Sequence, residues 1–103
     1  MSKKANQDIK QLRAIGHKLK PVVTIAGKGL SENVIAELDR ALTDHELIKV
    51  KLAVGAREAR VDMAKQITEQ FNAELVQSVG NIILLLRRSP TPDPRLSNLI
   101  KPV

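Results

Sequence analysis

The residues whose types and spacing offer chemistry gather first in one short stretch, Ala26-Gly27-Lys28-Gly29-Leu30-Ser31. Glycines let a backbone approach a ligand closely, a helix that follows begins with unpaired N–H groups and a positive dipole end, and Lys28 adds a charge between them. Together these features describe a cradle for phosphate oxygens; the plainer alternative is a glycine turn with an exposed lysine. A nucleotide-hydrolysing P-loop does not fit. No hydroxyl follows the lysine, no glycine stands five residues before Gly27, and no acidic residue closes a hydrophobic strand for magnesium. Gly27 and Gly29 also lack the third glycine of a dinucleotide fingerprint.

The other polar clusters offer less. Asp44-His45-Glu46 is the tightest group of titratable types, but three consecutive residues in a helix-to-strand turn point in different directions, so a polar turn is expected rather than a metal site or proton relay. Glu37 and Asp39, two apart on a helix, do not face each other, while Glu58 and Asp62 have Arg57 and Arg60 as helical neighbours, which predicts solvated ion pairs. With no cysteine in the chain, disulfides, thiolate metal sites and thiol nucleophiles are excluded. No catalytic, metal-binding or cofactor-binding set emerges, and no small-molecule substrate is implied.

Charge placement favours a polyanionic partner. The net charge of +6 comes entirely from residues 1–30, where Lys3, Lys4, Lys10, Arg13, Lys18, Lys20 and Lys28 stand against Asp8 alone; the remaining residues carry ten basic and ten acidic side chains. Clustered Lys and Arg gain by releasing counterions from phosphates, whereas interspersed charges mainly serve solubility. No apolar stretch follows the basic N-terminus, and the longest unbroken apolar run is Ile82 to Leu86, far short of the ~20 residues of a membrane-spanning helix. A cytoplasmic protein with no membrane partner is expected.

Seven elements must position these residues. From about Lys4 to Leu19, Ala5, Ile9, Leu12 and Leu19 recur at helical spacing with Lys10, Arg13 and His17 on a neighbouring stripe, and Lys20-Pro21 ends the helix. Val22 to Ala26 reads as a strand running into the glycine loop. Ser31 is placed to cap a second helix whose apolar stripe is Val34, Ile35, Leu38, Ala41 and Leu42. Glu46 to Val54 alternates, with Ile48, Val50, Leu52 and Val54 on one face and Leu47, Lys49 and Lys51 on the other. A third helix covers Arg57 to Asn72, spaced through Val61, Ala64, Ile67, Thr68 and Phe71. Strands at Ala73 to Val79 and Ile82 to Arg87 then meet at a Gly80-Asn81 hairpin.

Strand-helix-strand units cross over right-handedly, so this order predicts an α+β (α/β) fold, α-β-α-β-α-β-β, whose four-stranded mixed sheet carries the second and third helices on one face. The last strand is apolar at every position, which demands cover on both faces, and the first helix can supply the second. Residues 1–88 form one domain. Pro90, Pro92, Pro94 and Pro102 make 89–103 a Pro-rich extended tail in which at most Leu96, Leu99 and Ile100 dock.

Phe71 is the sole aromatic residue and its spacing assigns it to the core, so base stacking on exposed aromatics is unavailable and backbone contacts must dominate any RNA recognition. The runs Leu19-Lys20-Pro21-Val22-Val23, the glycine loop, Leu30-Ser31-Glu32-Asn33-Val34, His45-Glu46-Leu47-Ile48-Lys49-Val50-Lys51 and Val79-Gly80-Asn81 resemble the CRM domain (chloroplast RNA splicing and ribosome maturation) in its stand-alone bacterial YhbY form, over residues of about 6 to 88. The resemblance implies an RNA-binding module with a fold similar to the C-terminal domain of translation initiation factor three, a GxxG loop between the first strand and the second helix, and a setting in precursors of the large ribosomal subunit. The loop positions fall on Ala26, Gly27, Lys28 and Gly29, so Ala26 replaces the first glycine and Gly27 stands one place later.

The expectation is therefore a monomeric RNA-binding protein, not an enzyme. Its ribosomal RNA partner is contacted by Ala26, Gly27, Lys28, Gly29 and Ser31, with Lys10, Arg13, His17, Lys18 and Lys20 supplying the flanking field. The alternative is a protein-interaction module that docks a ribosomal protein, or itself, through the last strand and the C-terminal tail.

Overall fold

A computed structural model describes residues 9–100. The element order is α1 (Ile9–Lys18), β1 (Pro21–Ile25), α2 (Glu32–His45), β2 (Leu47–Leu52), α3 (Arg57–Phe71), β3 (Glu74–Val79) and β4 (Ile82–Leu86), the seven elements in the expected order. Lys4 and Ala5, assigned above to the first helix, lie outside the described residues.

The sheet runs β1-β2-β4-β3. β1 and β2 pair in parallel across the α2 crossover, and β4 pairs antiparallel with both β2 and β3. β3 thus points the same way as β2 but lies beyond β4. The last strand sits inside the sheet with both edges paired, so it offers no free edge for docking, contrary to what the alternative reading needs.

Strand alternation sorts the apolar residues into two cores. Val23, Ile25, Ile48, Val50, Leu52, Ile83 and Leu85 pack beneath α2 and α3 with Leu38, Leu42, Ala64, Ile67 and Phe71. On the opposite face Leu47, Val76, Leu84 and Leu86 pack against Leu12, with Ile15, Leu19 and Leu99 around them. The uniformly apolar β4 therefore has its double cover, and each fully buried leucine contributes about 1.5–3 kcal/mol. Gly16 is what lets α1 settle so closely. A Cβ there would stand 2.5 and 2.7 Å from the two terminal carbons of Leu84.

Local chemistry fixes the boundaries. The Ser31 hydroxyl accepts from the Val34 N–H at 3.3 Å and caps α2; Asn72 ends α3 in the left-handed region at φ 53°. β2 starts one residue later than its alternation indicates because Glu46 takes φ 62° and closes α2, its N–H donating to the Leu42 carbonyl at 3.0 Å. Val61, placed on the apolar stripe of α3, is 59% exposed; the buried face of the helix runs through Ala64, Ile67 and Phe71, with Met63 packed beside them.

Among the described residues, which do not include Pro102, the C-terminal segment has no helix or strand, but it is not extended. It turns back so that Ser97 and Asn98 are buried. The buried Glu46 carboxylate accepts from the Ser97 hydroxyl at 2.6 Å and from the Ser89 N–H, and the Asn98 side chain donates to the Leu47 carbonyl at 2.7 Å. Leu99 joins the α1-side core, while Leu96 and Ile100 stay exposed. The polar turn at residues 44–46 is thus the anchor of the tail. The prolines remove backbone donors, and these side-chain hydrogen bonds join main-chain ones, such as the Asn98 N–H donating to the His45 carbonyl at 2.9 Å, in ordering the tail.

No helix among the described residues is long and apolar enough to cross a membrane.

Candidate nucleic-acid interface

The glycine loop leaves the sheet where β1 and β2 finish. Ala26 to Gly29 form one tight turn closed by the Gly29 N–H donating to the Ala26 carbonyl at 2.9 Å, and Ala26, Gly27 and Lys28 are exposed. The two glycines differ in kind. Gly29 takes φ +72°, the left-handed region that side chains avoid; Gly27 does not, and a Cβ on it would meet nothing within 4 Å. Glycine at position 29 is therefore dictated by the turn, whereas neither backbone angle nor packing requires one at position 27. Lys28 forms no ion pair among the described residues. The turn delivers the chain to Ser31 and the first N–H groups of α2.

Two further connections share this rim. The Ala53 N–H donates to the Ile25 carbonyl at 2.7 Å, and the Leu52 N–H to the Asn81 carbonyl at 2.7 Å, so the β2–α3 loop and the Gly80-Asn81 hairpin flank the glycine loop. Arg60 holds the β2–α3 loop by donating to the carbonyls of Gly55 at 3.0 Å and Val54 at 3.4 Å. The solvated ion pairs expected of Arg57 and Arg60 with Glu58 and Asp62 do not form; backbone carbonyls are the better-placed partners for Arg60.

The remaining site residues named from sequence are not all beside the loop. Lys10, Arg13, His17 and Lys18 are exposed on α1 and Lys20 on the connection that follows. α1 covers the face opposite α2, and Lys18 and Lys20 stand where β1 begins. From Lys20 to Ala26 the chain spans roughly 15–20 Å at strand rise. The cradle and the leading cations are thus two patches at opposite ends of β1.

Lys49 and Lys51 join them. They project from the α1-side face of β2; Lys49 pairs with Pro21, next to Lys20, and Lys51 with Thr24, two residues before the loop. Lys49 shares one hollow with Lys20 and another with His17. Residues 9–30 and β2 together carry Lys10, Arg13, Lys18, Lys20, Lys28, Lys49 and Lys51 and no acidic residue, whereas α2 and α3 carry Glu32, Glu37, Asp39, Asp44, Glu58, Asp62 and Glu69 against Arg40, Arg57, Arg60 and Lys65. The sheet therefore separates a predominantly cationic side, where Glu74 on the outer strand β3 is an acidic exception, from one whose balance is acidic. Alternation alone had put both lysines on one face; identifying it as the α1 face took the strand order and the seat of that helix.

The profile of the CRS1 / YhbY (CRM) domain matches residues 5–87. The chain is similar to the "Probable RNA-binding protein" of Pseudomonas aeruginosa, 50% identical over 90 residues that span 87% of this chain and 86% of the relative. It is similar as well to the "RNA-binding protein" of Haemophilus influenzae, 44% identical over 78 residues, 76% and 79% of the two chains. The solution structure of a Staphylococcus aureus hypothetical protein, described as a candidate RNA binder, superposes with a TM-score of 0.72 at 30% identity, covering 88% of this chain and 93% of that one.

Proposed function

The chain belongs to the CRS1/YhbY (CRM) domain family, and on that premise we propose that it binds RNA through the sugar–phosphate backbone, with the glycine loop as a cradle and the α1-side cations as the surrounding field. The observation that carries the reading is the charge separation: seven basic residues and no acidic one across α1, β1, the loop and β2. Such a surface attracts a polyanion by releasing its counterions, and an exposed turn with no side chain at Gly27 admits a phosphate to the donors at the start of α2. Relatives named as RNA-binding proteins support it.

The RNA is ribosomal, within precursors of the large subunit, and the protein acts there as a cytoplasmic monomer during ribosome assembly; the family resemblance supports this setting. It is a binding protein rather than an enzyme. Relatives named as RNA-binding proteins support this. The rival reading, docking through the last strand and the tail, has less support: β4 is paired on each side, and the tail, fastened to Glu46, offers Leu96 and Ile100 as its exposed apolar residues among those described.

Titrating salt against binding of a large-subunit ribosomal RNA fragment tests the reading. A steep log–log slope is expected, reduced by about 0.7–0.9 in Lys28→Ala. Absent or salt-insensitive binding refutes it. Crosslinking in cells followed by sequencing of the attached RNA tests the ribosomal setting, with large-subunit precursor reads expected to be enriched.

A further inference from the structure

Between the end of α1 and the strands lies a hollow of about 260 Å³ lined by His17, Lys49, Gln77, Val79, Ile82 and Leu84. Its floor is apolar, from Val79, Ile82 and Leu84, and its rim is polar, from His17, Lys49 and Gln77. Resting on the RNA-binding reading above, we propose that this hollow receives one unpaired nucleobase of a single-stranded or looped RNA whose backbone passes over Lys49 and Lys51.

Several independent features converge on it. The volume falls below the ~300 Å³ at which pockets for drug-sized ligands begin, which suits one planar ring system. The rim is available: the side chains of His17 and Gln77 have no hydrogen-bond partner among the described residues. An amide carries both donors and acceptors for a base edge. His17 supplies the surface π-face on which a base can stack, since Phe71 is in the core and the His45 ring is bound to the Leu96 carbonyl at 2.8 Å.

The backbone departs from regularity to make the hollow. β3 carries a bulge between Leu75 and Gln77 against β4. Without it consecutive residues would point to opposite faces, yet Val76 is buried in the α1-side core and Gln77 lines the α1-side hollow. A bulge re-aims a side chain in this way, commonly beside functional sites. Gly16 brings α1 down onto Leu84 and so places His17 at the wall. Val79 is left 62% exposed on the floor, an apolar surface ringed by polar groups and contiguous with the cationic face.

Recognition of this kind selects RNA by its state of pairing. Bases held in an A-form duplex cannot enter, so phosphates alone would be gripped there. The test uses a mixed-sequence 12-nucleotide RNA as a single strand and annealed to its complement, with the full chain. At least tenfold tighter binding of the single strand is expected, with Gln77→Leu reducing that preference to within threefold and leaving the salt slope unaltered. Val79→Ser, on the exposed floor, serves the same purpose should Gln77→Leu fail to fold, and 4-thiouridine in the single strand should crosslink to β3 or β4. Equal binding of both forms, or a preference that survives both substitutions, overturns the base pocket while the RNA-binding reading stands; no salt-dependent binding of either form overturns both.

Discussion

At the end of the sheet where β1 and β2 begin, side chains bind the chain to itself: the buried Glu46 holds Ser89 and Ser97, the buried Asn98 holds Leu47, and the half-buried His45 holds Leu96. Nearby, Arg87 donates to the Asp39 carboxylate at 3.0 Å and carbonyl at 3.1 Å and to the Thr43 hydroxyl at 2.9 Å. At the other end, where both strands finish, the glycine loop is closed by main-chain hydrogen bonds and Lys28 has no ion-pair partner among the described residues. The contrast separates two uses of polarity. Groups turned inward, with no buried side-chain nitrogen or oxygen left unpartnered among the described residues, hold the fold; groups turned outward and unpaired are available to a ligand.

The sharpest way to break the contrast is at the fastened end. Glu46→Ala strips the partners from the Ser97 hydroxyl and the Ser89 N–H, and unsatisfied buried groups cost about 1–3 kcal/mol each. Losing about 2–4 kcal/mol in total should lower the melting temperature by on the order of 10 °C or more, readable by circular dichroism, while the remaining folded protein binds RNA as before. Next is Lys49→Gln with Lys51→Gln, which should leave melting unchanged and reduce the salt slope of RNA binding by about 1.4–1.8, two phosphates' share. Arg57→Gln with Lys65→Gln, on the α3 side, is the matched control and should leave the slope unchanged.

The glycine pair sharpens the comparison within a single loop. Gly29→Ala forces a side chain into the left-handed region and should destabilise by about 1 kcal/mol in denaturant titration. Gly27→Ala should change stability by less than about 0.5 kcal/mol and still weaken RNA binding severalfold, since the new methyl group occupies the space a phosphate needs. Equal binding by wild type and Gly27→Ala would remove position 27 from the cradle.

Much of this was legible in sequence wherever periodicity and burial act together. The alternation of β2, the apolar run of β4 and the stripe of α2 each specify which faces are covered, and the Ser31 cap and the glycine turn follow from local backbone chemistry. Less legible were features that depend on who lies next to whom. Glu46 looks like any acidic turn residue until the tail is seen to close over it, and the prolines of that tail point to irregularity without revealing its contacts. Gly16 and the β3 bulge carry no local sequence cue because their reasons lie across the sheet, in Leu84 and in the hollow. The leading cations and the loop read as one cluster because they are close in sequence; an extended strand holds them apart, and lysines from a later strand fill the gap.

The central claim, that RNA lies on the cationic side of the sheet and reaches the glycine loop, is tested most directly by mapping amide chemical-shift changes as a single-stranded RNA is titrated into the full chain. Changes are expected at His17–Lys20, at Ala26–Ser31 and along Lys49–Lys51, with the exposed face of α2 beyond its first turn unperturbed. Changes concentrated on that outer surface of α2, with the glycine loop and β2 silent, would contradict the account.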